Sequence, residues 1–381
     1  MKVAIIYRQM FDYDGVNQCI GGIETYLLKL SEVCEEIGWQ PMLFQCANKP
    51  FKRMINNLEV IGVPVVKLDQ KLWKQELFKA VCKEVDINKD LVIFGADHYS
   101  VPSNSPRCIS IQHGISWDLP TRYFTKKKYC KSGLGAQLKK KLLIRSSVKY
   151  FENCKNRVCV DYNFLNWYRT MISEEPKGRI WVIPNFTSVL ASREQINRKK
   201  HNNEIIKILF ARRFTQYRGV QIMAEATEII LRKYKNINVT FAGEGPEEEW
   251  LRQRFSGDRR VNFTKYYPNE VLDIHLSHDI AVIPSIASEG TSLSVAEAMG
   301  AGCIVVATAV GGITNMIIDG YNGILVMPNT TSLLTGIETV IKNHELRDLI
   351  RERAYEVAKS AFNLNVWKSK WKNVLQEVAG A

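Results

Sequence analysis

Two glutamates, Glu289 and Glu297, stand eight positions apart in the stretch ASEGTSLSVAEAMGAGC, which covers residues 287–303. An apolar run (DIAVIPS) precedes the stretch and another (CIVVAT) follows it, so the pattern predicts a loop carrying Glu289 that leads into a helix carrying Glu297. The free backbone N–H groups at the start of such a helix favour an anion, and phosphate is their usual ligand. Two carboxylates beside a phosphate site are suited to accept hydrogen bonds from sugar or ribose hydroxyls.

The same spacing also permits a purely structural interpretation, and spacing alone leaves both open. In that interpretation Glu289 only favours the helix dipole, and Glu297 is a solvated helix position. Gly290, which follows Glu289, would let the backbone approach a ligand closely.

Further polar residues directly follow apolar, strand-like runs. Arg212 and Arg218 lie in FARRFTQYRGV, and arginine presents a planar fork suited to phosphate oxygens. His113 follows RCISIQ, and Gly21-Gly22 lies between the first strand and a helix. The ordinary alternatives are a solvated loop for the arginines, a packed histidine and a simple turn. Weaker candidates are His98 and Asp118 for binding an acceptor, and Glu244, which also fits a turn.

Composition limits the class of protein. With 381 residues, 46% hydrophobic and 10% aromatic, the chain predicts about two folded domains rather than disorder. No apolar run approaches the length that spans a membrane. Nine cysteines without a Cys-x-x-Cys pair indicate reduced thiols in a cytoplasmic protein rather than disulfides or zinc. A net charge of +13 favours anionic partners: nucleic acid, phosphate-rich small molecules or an anionic membrane surface.

Alternating strand and helix patterns predict an α/β fold with two doubly wound parallel sheets, each of the Rossmann-like kind. A polar stretch at 187–204, after Pro184, interrupts the alternation of strand and helix patterns, which then resumes. We therefore predict an N-terminal, acceptor-side domain over 1–186 and a C-terminal, nucleotide-sugar-binding domain over 187–361. Loops at the carboxyl ends of both sheets would face a central cleft.

Residues 122–157 are strongly basic, with twelve Lys or Arg and one acid, Glu152, interleaved with aromatics and Leu-Leu-Ile. A basic amphipathic segment of this kind suits an anionic bilayer surface. A solvated helix face is the main alternative. Specific nucleic-acid binding is not expected, because no nucleic-acid-binding module accompanies the charge.

Several motifs resemble glycosyltransferase family four, a retaining family with the GT-B fold. EGTSLSVAE looks like its E-x7-E motif, and the following AMGAGCIVVATAVGGITNMIIDGYNGILV resembles its downstream block. The segments GGIETY, VIPNFT, ILFARRFTQYRGV and VTFAGEGPEEEWL are similar to family segments in the same order. The chain departs from the family at Ala211, where glycine is usual, and at Arg218, where lysine is usual.

The resemblance implies specific roles. Glu289 would contact donor-sugar hydroxyls, Glu297 would hold the ribose, and Arg212 and Arg218 would bind the diphosphate. His113 would reach the donor sugar near the reaction centre. The resemblance also implies that the Gly21-Gly22 loop backs the donor phosphates and the reacting sugar, and that Glu244 and Lys265 lie near the base. The contacts implied at phosphate are Gly290, Thr291, Ser292, Leu293 and Ser294. By the family pattern a C-terminal helix, at about 362–381, packs back on the first domain.

The expected function is transfer of a hexose from a nucleotide diphosphate sugar, most often UDP- or GDP-linked, to a hydroxyl of a lipid-linked or glycan acceptor. No cofactor or metal is expected. The resemblance implies a role in cell-surface polysaccharide synthesis, such as lipopolysaccharide, O-antigen or capsule, by a protein peripheral to the inner leaflet of the cytoplasmic membrane. The alternatives are a non-catalytic nucleotide-sugar-binding protein, and a GT-B-fold sugar epimerase or inverting transferase.

Overall fold

The computed structural model describes residues 1–65, 73–115, 117–118, 133–200, 205–287 and 289–380. These residues form two compact units. Unit 1 contains the described residues of 1–113, 133–184 and 367–380, and unit 2 contains those of 114–118 and 185–366. The chain thus changes unit after Pro184, two residues before the boundary chosen from the sequence, and returns to unit 1 at Trp367.

The described part of unit 1 contains an eight-stranded sheet in the order β3-β4-β2-β1-β5-β6-β7-β8. All neighbours are parallel except the antiparallel pair β3–β4. The strands are β1 (Lys2–Ile6), β2 (Gln40–Ala47), β3 (Phe51–Ile55), β4 (Leu58–Pro64), β5 (Leu91–Phe94), β6 (Cys108–Gln112), β7 (Asn156–Cys159) and β8 (Arg179–Val182). The central strands are buried throughout, which explains their continuous apolar runs.

Edge strand β3 was not predicted from the sequence. Its residues read FKRMI, and Lys52, Arg53 and Met54 are exposed, so the strand lacks the apolar run that identified the others. Charged, exposed positions are typical of a sheet edge, where they discourage pairing with another chain.

The helices of unit 1 are α1 (Gly22–Glu36), α2 (Trp73–Glu84), α3 (Gly133–Phe151) and α4 (Tyr162–Arg169). The C-terminal helix, numbered α12 in chain order (Leu364–Ala379), packs on α1 from Trp367 onward. Trp371 donates through Nε1 to the Tyr26 hydroxyl at 2.9 Å, and Lys368 pairs with Glu32 and Glu36. Buried Trp371 and Val374 show that an apolar stripe holds this helix.

The described part of unit 2 contains a six-stranded parallel sheet in the order β11-β10-β9-β12-β13-β14. The strands are β9 (Ile206–Ala211), β10 (Ile237–Ala242), β11 (Val261–Thr264), β12 (Ile280–Ile283), β13 (Ile304–Thr308) and β14 (Ile324–Val326). The helices are α5 (Arg193–Lys200), α6 (Val220–Lys233), α7 (Glu248–Arg254), α8 (Val271–Leu276), α9 (Leu293–Gly300), α10 (Thr330–Lys342) and α11 (His344–Ala361).

Two apolar layers, one on each face of this sheet, form the core of unit 2. The topology also determines which loops meet, because β12 pairs with β9 although about seventy residues separate them. The segments after β9 and after β12 therefore leave the same sheet edge side by side. The α/β class with two parallel sheets, predicted from the alternating pattern, is confirmed.

Candidate active site

Glu289 is the centre of a buried polar cluster in unit 2. Its Oε1 accepts hydrogen bonds from Arg212 Nη2 at 2.5 Å, from Ser285 Oγ at 2.5 Å and from Arg218 Nη1. Arg212 also donates through Nη1 to Ser285 Oγ at 2.8 Å. Arg212 and Glu289 are only 8% and 5% exposed, so these charges are largely removed from water and depend on each other for compensation.

The cluster forms because β9 and β12 are neighbours. Arg212 directly follows β9, while Ser285 and Glu289 follow β12. Arg218 ends a 3-10 turn, Gln216–Arg218, that comes before α6. Gly219 lets the end of this turn lie close to Pro284. Its φ is 77°, and a Cβ at that position would lie 1.7 Å from the Pro284 carbonyl oxygen. The structure therefore brings three predicted residues together and adds Ser285, which was not predicted.

Glu289 stays ionised despite its burial. Burial alone raises the pKa of a carboxyl group, but the positive charges of Arg212 and then Arg218, with the Ser285 hydrogen bond, bring the pKa of Glu289 below its ordinary value. One carboxylate thus faces two guanidinium groups. Because the cluster carries one positive charge more than negative, it suits an additional anion.

A second glycine pair supports the loop that carries Glu289. Gly311 has φ 53°, and a Cβ there would lie 2.0 Å from the Glu289 carbonyl oxygen. A Cβ on Gly312 would lie 2.4 Å from the Gly290 carbonyl carbon, and the Gly312 amide donates to the Glu289 carbonyl at 2.9 Å. Gly311-Gly312 was visible in the sequence after β13, but no role was assigned to it. The signal was its position three residues after a buried strand.

The loop is also held at Thr291. The amide of Asn185 donates to Thr291 Oγ1 at 2.8 Å, and Asn185 Nδ2 donates to the Thr291 carbonyl. Ser292 then serves as the N-cap residue of α9 without a side-chain capping bond, and its amide faces the weakly accepting sulfur of Met316 at 3.1 Å. The predicted phosphate-contact residues Gly290, Thr291, Ser292, Leu293 and Ser294 thus form a fixed loop and helix start.

Glu297 lies in α9, and its side chain is half-buried. Burial raises the pKa of Glu297 to about 7, and the charge of Arg212 opposes this only in part. Burial raises the pKa of the hydroxyl of Tyr266, which lies two residues after β11, and the nearby carboxylate of Glu297 adds to this rise. This carboxyl group therefore titrates near neutral pH in the protein without ligand.

Glu244 and Lys265 follow the adjacent strands β10 and β11 and form an exposed ion pair of 2.9 Å with each other. The hydrogen bond from Lys265 lowers the pKa of Glu244, and the same contact raises the pKa of Lys265. The Glu244 carbonyl accepts from the Phe214 amide at 2.8 Å. Both residues therefore lie at the carboxyl edge that carries Arg212, but outside its hydrogen-bonded cluster.

His113 lies in unit 1, directly after β6, and its ring is held on two sides. Nε2 lies 2.8 Å from the Gly95 carbonyl oxygen, and the ring meets Tyr26 edge-to-face at 5.2 Å. Burial lowers the pKa of His113 to about 4, and the Gly95 contact and the charge of Asp97 offset this only partly. The imidazole is therefore neutral at pH 7. Because a carbonyl oxygen only accepts, Nε2 carries the proton and Nδ1 is an acceptor.

Gly21 is the N-cap residue of α1, and Gly22 is its first residue. A Cβ on Gly21 would lie 2.4 Å from Oε2 of Glu24, so this carboxylate folds back over the glycine. Its other oxygen accepts from the Tyr7 hydroxyl at 2.7 Å. Glu24 was part of the recognised GGIETY segment, but no role was assigned to it.

The two weak acceptor candidates fall in different surroundings. His98 is exposed in the 3-10 turn Asp97–Tyr99 after β5, and its ring packs on Tyr99 at 4.0 Å. Asp118 is half-buried and groups with unit 2. Of the basic segment at 122–157, residues 122–132 lie outside the described residues. The remainder is mostly helix α3, which exposes Leu138 and Leu142.

Comparison with known proteins finds glycosyltransferases among the similar sequences. Residues 191–357, less than half of the chain, match the family model "Glycosyl transferases group 1". An uncharacterized glycosyltransferase of Methanocaldococcus jannaschii is 28% identical over 220 residues, which is 54% of each chain. Lipopolysaccharide 1,2-N-acetylglucosaminetransferase of Salmonella typhimurium is 23% identical over 217 residues, 53% of this chain and 55% of that one. The chain thus spans about half the length of these curated relatives.

Among solved structures, Anabaena HepE in complex with UDP and glucose has a TM-score of 0.71 at 15% identity, covering 99% of both chains. This likeness identifies the fold as the GT-B fold predicted from the sequence. Together with the family match, it supports a group 1 glycosyltransferase. Within the residues that the structure describes, no helix combines the length and apolar character needed to cross a membrane.

Proposed function

We propose that this protein is a retaining glycosyltransferase that moves a hexose from a nucleotide diphosphate sugar to an acceptor hydroxyl. The observation that carries the proposal is the buried cluster of Arg212, Arg218, Ser285 and Glu289 beside the fixed start of α9. Two guanidinium groups and a helix N-terminus are suited to a diphosphate. The match of residues 191–357 and the UDP held by a structural neighbour support a nucleotide sugar as donor.

In the proposed reaction, the bond between the anomeric carbon and the diphosphate oxygen breaks, and a bond from that carbon to the acceptor oxygen forms. The nucleoside diphosphate leaves with additional negative charge and takes the proton of the acceptor hydroxyl. Arg212 and Arg218, already oriented by Glu289, stabilise this charge without reorganising. The neutral ring of His113 offers an uncharged hydrogen-bonding group to the sugar, a role that rests on the family resemblance.

Retention of anomeric configuration and membership of family four are proposed from the E-x7-E pattern of Glu289 and Glu297. In this proposal Glu289 receives donor-sugar hydroxyls through the carboxylate face not used by the arginines, and Glu297 receives the ribose hydroxyls. The product configuration separates this proposal from an inverting transferase, because an α-linked donor would give an α-linked product only under retention.

We propose a lipid-linked or glycan acceptor used in surface-polysaccharide synthesis, with the protein bound to the anionic face of a membrane. The name of the Salmonella typhimurium relative supports this direction. The exposed side of α3 supports it independently: Leu138 is 61% and Leu142 55% exposed, and Lys141 and Arg145 lie on the same side. Apolar residues flanked by basic ones suit an anionic lipid surface.

The test begins with a panel of UDP-, GDP-, dTDP- and ADP-sugars, using thermal shift to find the donor and then release of the free nucleoside diphosphate to measure turnover. Arg212→Gln should lower turnover by about 100-fold or more, because it removes a donor from the developing charge. Its neighbour Arg213 is exposed and outside the cluster, so Arg213→Gln serves as a matched control and should keep turnover near wild type. Equal turnover by the two variants would contradict the proposal.

A further inference from the structure

Tyr26 lies between His113 and the C-terminal helix in unit 1. It belongs to α1 and is buried, with 1% of its surface exposed. Its ring meets the His113 ring edge-to-face, with 5.2 Å between the ring centres. The same ring meets Trp367 and Trp371 of α12 edge-to-face, at 4.9 Å and 6.1 Å. One tyrosine thus joins the candidate sugar-binding histidine to the last helix of the chain.

The hydroxyl of Tyr26 fixes the place of its ring. It accepts the hydrogen bond from Trp371 Nε1 at 2.9 Å, and Trp371 is fully buried. Because an indole N–H only donates, and a buried donor without an acceptor costs free energy, this bond favours one arrangement of the two side chains. Trp367 and Trp371 are four positions apart, so both lie on the face of α12 that meets Tyr26.

Ion pairs hold the same two helices together. Lys368 pairs with Glu32 at 3.0 Å and with Glu36 at 2.7 Å, and Lys372 pairs with Glu36 at 2.8 Å. Both glutamates belong to α1, the helix that carries Tyr26. The two kinds of contact, charged and aromatic, therefore fix the position of α12 along α1.

The ring of His113 has two restraints, and they do different things. The contact of 2.8 Å between Nε2 and the Gly95 carbonyl oxygen fixes one ring atom but leaves the plane of the ring free to tilt about it. The edge-to-face contact with Tyr26 restricts this tilt, because aromatic pairs have a preferred geometry. Together they hold the acceptor nitrogen, Nδ1, in one direction.

We infer that α12 acts in the reaction as a positioning element: through Trp367, Trp371 and Tyr26 it sets the orientation of His113 towards the donor sugar. The inference rests on the proposed function, since it concerns the histidine that this proposal places beside the sugar. It goes beyond that proposal, because it assigns a consequence for turnover to three aromatic residues that have no substrate contact of their own.

Kinetics of the full chain, with the donor found in the nucleotide-sugar panel, test the inference. Tyr26→Leu removes the ring beside His113 and should lower kcat about 10-fold while KM for the donor changes less than about 2-fold, because a tilted histidine affects the transition state more than donor binding. Tyr26→Phe keeps the ring and loses only the acceptor of Trp371, so it should restore most of this loss and lower kcat about 3-fold. Trp371→Phe removes the other partner of the same bond and should match Tyr26→Phe.

Two control variants separate positioning from a general loss of stability. Val378→Ala removes buried contacts of α12 about two turns beyond Trp371. Tyr355→Phe removes the hydroxyl of another buried tyrosine, which donates to the Ala191 carbonyl at 2.8 Å in unit 2. Both should lower the urea midpoint and keep kcat near the wild-type value. A fall in kcat in Val378→Ala as large as that in Tyr26→Leu overturns the inference.

Nuclear magnetic resonance of the imidazole groups gives a readout that requires no turnover. The His113 signals, assigned by their absence in His113→Phe, should form one set in the wild type, with the proton on Nε2. They should not titrate between about pH 6 and pH 8, because burial keeps the pKa of His113 at about 4. Tyr26→Leu should double or broaden these signals and move the titration upwards, towards the ordinary histidine range.

Unchanged His113 signals in Tyr26→Leu overturn the inference. If Tyr26→Leu does not fold, Trp371→Phe is judged in the same way, and signals and kcat equal to those of the wild type overturn it. If the wild type transfers no sugar, the proposed function fails, while the imidazole signals still decide whether α12 orients His113.

Discussion

The two sheet edges that carry the candidate residues differ in whether their charges are buried and paired. In unit 2 the charges are buried and bound to one another, with Arg212, Arg218 and Ser285 sharing a single carboxylate oxygen of Glu289. In unit 1 the ring of His113 is neutral, while Arg8, an exposed residue two positions after β1, makes no ion pair with any described residue. A pre-assembled cluster suits a ligand group that is always the same, such as a diphosphate. An exposed, adaptable edge suits a partner that differs between proteins.

The largest effect is expected from breaking the cluster in unit 2. Glu289→Gln should reduce turnover about 1000-fold, because the arginines lose their orientation. It should also destabilise the protein by about 3–5 kcal/mol, since two positive charges are left without a counter-ion at a buried site. Turnover and the free energy of unfolding in urea measure the two effects.

A double variant separates stability from chemistry at the same site. Arg212→Gln/Glu289→Gln removes one charge of each sign, so it should recover part of the stability lost in Glu289→Gln. Its turnover should remain as low as that of the single variant. Recovery of turnover along with stability would mean that the cluster is only structural, and the contrast between the two edges would then lose its functional meaning.

The second prediction concerns the exposed face of unit 1. Lys141→Gln/Arg145→Gln removes two charges from α3 and should weaken binding to vesicles containing anionic lipid about 30-fold, at about 1 kcal/mol for each basic residue near the surface. Lys79→Gln/Lys83→Gln makes the same change in charge on exposed positions of α2. Vesicle sedimentation compares the two double variants. Equal weakening by both would show that binding depends on net charge and not on the exposed side of α3.

The difference between the edges also explains which residues could be predicted from the sequence. Glu289, Arg212 and Arg218 follow buried strands in the order strand, loop and helix, so their proximity follows from the pairing of β9 with β12. Ser285 and Asn185 were not predicted, because a serine or asparagine in a loop carries no signal of the contact it makes. Glu24 was missed for a related reason: its partner is the hydroxyl of Tyr7, a residue of the first strand region that carries no signal of this contact in the sequence.

The third prediction tests whether the histidine of unit 1 acts as a neutral group. His113→Phe keeps the ring packing on Tyr26 but loses the hydrogen bond that the neutral imidazole is proposed to make with the sugar, so kcat/KM should fall about 10-fold, as expected for one neutral hydrogen bond. Because burial holds the pKa of His113 at about 4, wild-type activity between pH 6 and 8 should show no histidine titration that His113→Phe removes. Such a titration would indicate that this residue works as a cation.

The smallest effect concerns Glu297, the one carboxyl group of the unit 2 site that burial leaves near its titration point. Its pKa of about 7 lies above the ordinary value, so the protein without ligand is partly protonated there at neutral pH. If ribose hydroxyls donate to this carboxylate, UDP binding favours the ionised form and releases a proton. UDP affinity should therefore rise about 3-fold between pH 6 and pH 8, and calorimetry in buffers of different ionisation enthalpy should detect the proton. Titration of UDP itself contributes equally to wild type and Glu297→Gln, so the difference between them isolates the carboxyl group. An identical pH dependence in both proteins would remove Glu297 from the nucleotide site and confine the donor contacts to the arginine cluster.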